Sequence, residues 1–126
     1  MSRADLGIAR RAVACRAWRW MPGMADCWGG RVRDGDGIDR LAAIPDLTDP
    51  ATIGCLVALV RNYYPGAHVE PNGATEWDGV DPAERDTWWA VFTFRPAVIR
   101  VGCGPTEAAA LVAALEEAST SMDAAP

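Results

Sequence analysis

No lysine occurs among the 126 residues, and histidine occurs once, at His68. All twelve basic side chains are therefore arginine, a skew that GC-rich coding explains and from which no function is drawn. With one histidine, acid–base chemistry has little to work with. No serine or cysteine in a recognisable nucleophile motif stands beside His68, so a triad would need long-range contacts that the sequence does not show. The four cysteines, Cys15, Cys27, Cys55 and Cys103, form no C-x-x-C pair, and there is no H-E-x-x-H helix. The usual ways of bringing two ligands to one zinc ion are thus missing, and no metal or cofactor is expected. The longest uncharged apolar run, Ala51 to Val60, falls well short of the roughly 20 residues that a membrane span requires. Arg3, Arg10 and Arg11 are not followed by a continuous apolar segment or a small-residue cleavage site, so no secretory signal is expected. These absences predict a soluble cytoplasmic chain whose thiols stay reduced.

What is present suits one domain. Half the residues are hydrophobic and six are tryptophan, and a chain of this length builds a single core. The net charge of −5 conceals an asymmetry. Residues 1–40 carry eight arginines and five aspartates, net +3, whereas residues 41–126 carry four arginines and twelve acids, net −8.

Ser2 and Asp5 have the spacing of a capping box, with Asp in place of Glu, and Leu6, Ala9, Val13 and Ala17 follow near helical spacing, predicting a helix over 3–17. Pro22 and Gly23 stop it, leaving an apolar loop at Trp18 to Met24. Asp34-Gly35-Asp36-Gly37 predicts a β-hairpin between 28–33 and 38–44. Asp49-Pro50 opens a core helix with Ile53, Leu56, Val57 and Val60 on one stripe, ended by Pro65-Gly66. Thr87 to Phe94 alternates Trp89 and Val91 against Trp88, Phe92 and Phe94, as in a central strand buried on both faces. Ala97 to Val101 is its neighbour across Arg95-Pro96. Gly104-Pro105-Thr106 opens a last helix with Ala108, Leu111, Val112 and Leu115 in register. The expectation is an α+β fold: an antiparallel sheet of about four strands covered by about three helices, spanning 1–118, with an acidic insert at 70–86 and a frayed tail at 119–126.

An N-terminal helix running into Ala17-Trp18-Arg19-Trp20-Met21-Pro22-Gly23-Met24, then Asp49-Pro50-Ala51-Thr52-Ile53-Gly54-Cys55-Leu56, an aromatic strand, and a helix opened by Gly104-Pro105-Thr106-Glu107 together resemble small phage and prophage proteins. The nearest named group is the phage ABA-sandwich domain. The resemblance covers most of residues 4–118, and the insert from Glu70 to Asp86 departs from it. It implies an α-β-α layered fold and a phage accessory role in a bacterial host cell, with no catalytic residues to carry over; a fold alone does not set a function.

Several clusters invite a ligand. Asp34, Asp36 and Asp39 have the look of a calcium loop, but Ile38 and Asp39 occupy its fifth and sixth positions and no acid occupies the twelfth. Gly102-Cys103-Gly104-Pro105-Thr106 precedes a helix and offers amides to a phosphate, without a P-loop lysine. This is the basis of an alternative role as a nucleotide-sequestering protein; a small enzyme with an unrecognised site is a further alternative. The arginines Arg3, Arg10, Arg11, Arg16 and Arg19 interleave with Trp18 and Trp20. That combination grips nucleic acid in other proteins, but the overall acidity favours a solvated helix face with the tryptophans completing the core. If exposed, Trp18 and Trp20 belong instead to an interface. Glu70, Glu76, Asp78, Asp81, Glu84 and Asp86 surround Trp77, opposed by Arg85 alone: either an ordinary solvated loop or an acidic arm with an aromatic anchor. The leading expectation is a non-enzymatic phage-derived protein. It would inhibit a host defence protein, such as a CRISPR effector or another nuclease, by contacting its basic surface, without binding nucleic acid or membrane itself.

Overall fold

The computed structural model describes residues 2–33, 43–71, 87–94 and 97–124. Helix α1 spans Arg3–Ala14. Its capping box forms as the spacing predicts: Ser2 Oγ accepts from the Asp5 amide at 3.1 Å, and the Asp5 carboxylate accepts from the Ser2 amide at 3.0 Å. These bonds satisfy amides that a helix start leaves free, and they hold the Asp5 carboxyl below its ordinary pKa. The helix stops three residues before the predicted end, where the Cys15 amide turns back to the Ala12 carbonyl at 3.0 Å.

Helix α2 spans Pro50–Tyr63, with Asp49 as its N-cap and Pro50 in its first turn. Thr52, Leu56, Leu59 and Val60 are buried, while Ile53 and Val57 are only partly buried. The inward stripe is thus turned slightly from the one expected. Gly66, at φ 76°, takes the chain out of the helix in a conformation that a side chain would disfavour.

Three antiparallel strands, β1 (His68–Pro71), β2 (Trp88–Phe94) and β3 (Ala97–Gly104), form a sheet in the order β1-β2-β3. The aromatic run is the central strand, as its two-sided apolar pattern predicts, and Ala90 and Val91 are buried in succession. The β2–β3 register slips between Ala90 and Val91: Ala90 faces Gly102 and Val91 faces Arg100, leaving Val101 as the bulged residue. The connection at 95–96 lies outside the described residues.

Helix α3 spans Glu107–Ala124 and is the hub of the fold, touching all three strands and both other helices. Ala108 to Val112, Ala114, Leu115, Ala118 and Ser119 are buried, so the helix is enclosed over much of its circumference. That explains why its alanines fill positions between the predicted stripe residues. Its close approach to the sheet requires glycine. A Cβ on Gly102 would lie 2.6 Å from the Ala114 amide nitrogen, and one on Gly104 would lie 2.5 Å from the Ala109 Cβ. Met24, Leu56, Leu59, Val60, Leu111 and Leu115 complete the core, each large side chain contributing about 2 kcal/mol through burial.

Three strands are seen among the described residues, where about four were expected. Residues 30–32 bond back to 23–26, through the Ala25–Arg31 bridge and the Gly23–Val32 and Val32–Met24 backbone bonds. Asp34-Gly35-Asp36-Gly37 and residues 38–42 lie outside the described residues. Strand β1 falls where the insert was expected to start, because four residues ending in Pro71 carry no alternation signal; proline is tolerated there since β1 is an edge strand. Finally, α3 runs through most of the segment expected to fray. Ser119 is buried, and its hydroxyl accepts from the Ala17 amide at 3.1 Å.

Candidate partner-binding surface

The sequence Asp26-Cys27-Trp28-Gly29-Gly30 builds a tight turn around one carboxylate. Asp26 Oδ1 accepts from the Trp28 and Gly30 amides, each at 2.9 Å. The Asp26 amide donates to the Gly30 carbonyl at 2.8 Å, and Gly29 supplies the positive φ of 87° that the reversal needs. Gly30 is fitted as closely, since a Cβ there would stand 2.7 Å from Asp26 Oδ2. The Cys27 amide ties the turn to the Ile44 carbonyl at 2.8 Å. Asp26 is buried, yet Trp28, two residues on, is 71% exposed.

A second network fixes the base of this turn to α2. The Arg31 guanidinium makes a two-pronged pair with Asp49, at 3.0 and 3.1 Å, and donates to the Gly23 carbonyl at 2.6 Å. Asp49 also accepts from the Thr52 amide and hydroxyl, each at 2.9 Å. The Thr52 hydroxyl in turn accepts from the Ala25 amide at 2.8 Å. Arg31, followed by the Thr52 bonds, holds the Asp49 carboxyl far below the usual carboxylate range. Trp28 is therefore carried on backbone fixed from both sides, which reduces the ordering cost of using it in a contact.

The residues singled out from the sequence are placed as follows. Glu70 is exposed on β1, 2.7 Å from His68 Nε2. Glu76, Trp77, Asp78, Asp81, Glu84 and Asp86 lie outside the described residues, as do Asp34, Asp36 and Asp39. Trp20 is buried in the core, and Trp18 is half-buried with its ring edge-on to Trp20 at 5.5 Å between centroids. Trp20 is thus corrected from a partner-facing residue to a core residue, and Trp18 is its packing neighbour. The loop from Trp18 to Met24 is apolar because it roofs the core. Trp28 went unnoticed, although an Asp followed two residues later by Trp-Gly-Gly has the composition of a turn that displays its aromatic.

The other candidates resolve into structure. Gly102 and Gly104 serve the approach of α3, and Thr106 Oγ1 accepts from the Ala109 amide at 3.1 Å, already satisfying one amide of that helix start. A shallow cleft of about 240 Å³ between α1 and α3 is lined by Arg11, Ala14, Cys15, Arg16, Glu116 and Ser119, with Arg11 and Glu116 ion-paired. Burial, with Glu116 nearby, pushes the Cys15 thiol up, which keeps it protonated and a poor nucleophile. Among the described residues no group of three or more His, Cys, Asp or Glu could hold a metal ion, and no helix is long and apolar enough to cross a membrane. No family model, curated protein or solved structure matches this chain.

Proposed function

We infer that this chain is a non-enzymatic binding protein of phage origin that inhibits a host defence protein, a CRISPR effector or another nuclease, by covering its basic nucleic-acid-binding surface. The observation that carries the contact is Trp28: a large, exposed aromatic on a turn held by Asp26. Exposed tryptophans on rigid backbone are the side chains most often found at the energetic centre of an interface. The net charge of −5 supports the nature of the partner, since an acidic chain is steered as a whole towards a basic surface. The phage origin and the defence target rest on the family resemblance.

Tagged wild-type chain and a Trp28→Ala variant, each used as bait in bacterial lysate expressing defence systems, test this reading. It predicts one stoichiometric basic nucleic-acid-binding protein retained by the wild type and depleted with the variant. The same retained proteins with both baits, or a bare wild-type chain, contradicts it.

A further inference from the structure

Five tryptophans fall among the described residues, and four of their rings are already engaged. Trp18 and Trp20 pack edge-on, Trp88 packs against the core, and Trp89 lies under the Arg100 guanidinium, 4.9 Å from its ring centroid. Trp28 has no ring, cation or core contact among the described residues and is 71% exposed. The arginine nearest to it in sequence, Arg31, is held by Asp49 and the Gly23 carbonyl. An indole face carries negative charge density and attracts cations. Arginine suits it best, because the flat guanidinium stacks on the ring while its N–H groups still donate at the edge. The chain around Trp28 adds no cationic excess: Asp26, Asp46 and Asp49 stand against Arg31 and Arg33 within 23–33 and 43–50.

We propose that the Trp28 ring receives an arginine side chain of the partner protein, stacked as Arg100 lies over Trp89 within this chain. This rests on the reading of Trp28 as the contact residue and adds what the ring takes hold of. The net charge of −5 draws a basic surface close, and the free indole face selects the guanidinium on it. Arginines exposed on a nucleic-acid-binding surface are the groups that grip phosphate. A guanidinium stacked on Trp28 is withdrawn from that task, so one contact accounts for both adhesion and competition. An apolar contact alone would leave the partner's cation free.

The test replaces Trp28 alone with monofluoro- and tetrafluorotryptophan by codon reassignment, leaving every other tryptophan native. Each chain is titrated with nona-arginine and nona-lysine peptides at physiological salt and followed by the fluorine resonance at position 28. Ring fluorines drain charge density from the indole face while making it more apolar, so a stacked cation and a purely apolar contact respond in opposite directions. The resonance is expected to shift saturably with nona-arginine and more weakly with nona-lysine. The dissociation constant for nona-arginine read there is expected to rise by about threefold from monofluoro to tetrafluoro. No shift at millimolar nona-arginine, equal affinities for the two peptides, or an affinity that holds or tightens with fluorination overturns the proposal. The broader reading falls on a different result, a Trp28→Ala bait that retains the same proteins as the wild type. A bait that loses them while fluorination has no effect overturns the stacked arginine alone.

Discussion

Thr52 Oγ1, in the first turn of α2, accepts from the backbone amide of Ala25 at 2.8 Å while donating to the Asp49 cap at 2.9 Å. Thr52 is fully buried, so the Ala25 amide has no water to replace this bond. Thr52→Val keeps the shape but leaves that donor unsatisfied, at a cost of about 1–3 kcal/mol. Thr52→Ser, which restores the hydroxyl, should recover most of the loss. Urea denaturation of the three proteins measures both effects.

Glycines at two positions should respond oppositely to alanine. Gly54→Ala, inside α2 with open space around the new methyl group, should stabilise the fold by about 0.5–1 kcal/mol through helix propensity. Gly102→Ala forces a Cβ against the backbone of Ala110 and Ala114, and should cost about 1–3 kcal/mol or more by pushing α3 off the sheet. Thermal midpoints that shift in opposite directions would bear this out.

The pH dependence follows from Asp49. Its carboxyl is held below the unfolded value, chiefly by Arg31, so the stabilisation is fully present above about pH 4, where the unfolded chain is also ionised. It fades as pH falls and the unfolded state takes up a proton that the folded state resists. Asp49→Asn lacks this linkage, so the stability gap between wild type and variant should narrow as pH falls from about 4 to about 2. Denaturant midpoints across that range give the comparison.

Trp28→Ala should leave stability within about 0.5 kcal/mol of wild type, because the ring is exposed and the turn is held by backbone and Asp26. Asp26→Ala, which strips the Trp28 and Gly30 amides of their acceptor in a part-buried turn, should cost about 1 kcal/mol. Chemical denaturation of both variants separates a display residue from the residue that displays it.

The elements with local signals were legible in the sequence. Ser2 with Asp5 and Asp49 with Pro50 announce helix starts through short-range hydrogen bonds, and the alternating aromatics of β2 announce a central strand. What sequence reasoning missed depends on distant partners. Residues 30–32 find 23–26 because Asp26 closes the turn between them, and Ser119 is held in the helix by the Ala17 amide more than a hundred residues away. Gly102 and Gly104 read as an anion cradle until α3 is seen to lie against them. The candidate contact residue was hidden for a similar reason. Six tryptophans share one composition, and only the packing shows that Trp20 is core while Trp28 is displayed.

The central claim is that Trp28 anchors the chain on a basic nucleic-acid-binding partner. Fluorescence anisotropy of labelled nucleic acid bound to the captured partner, titrated with this chain, tests it most directly. The account predicts displacement by the wild type, weakened roughly 30-fold in Trp28→Ala, the loss of an interface anchor worth about 2 kcal/mol. Nucleic acid that stays bound at saturating wild-type chain, or equal displacement by the variant, would contradict it.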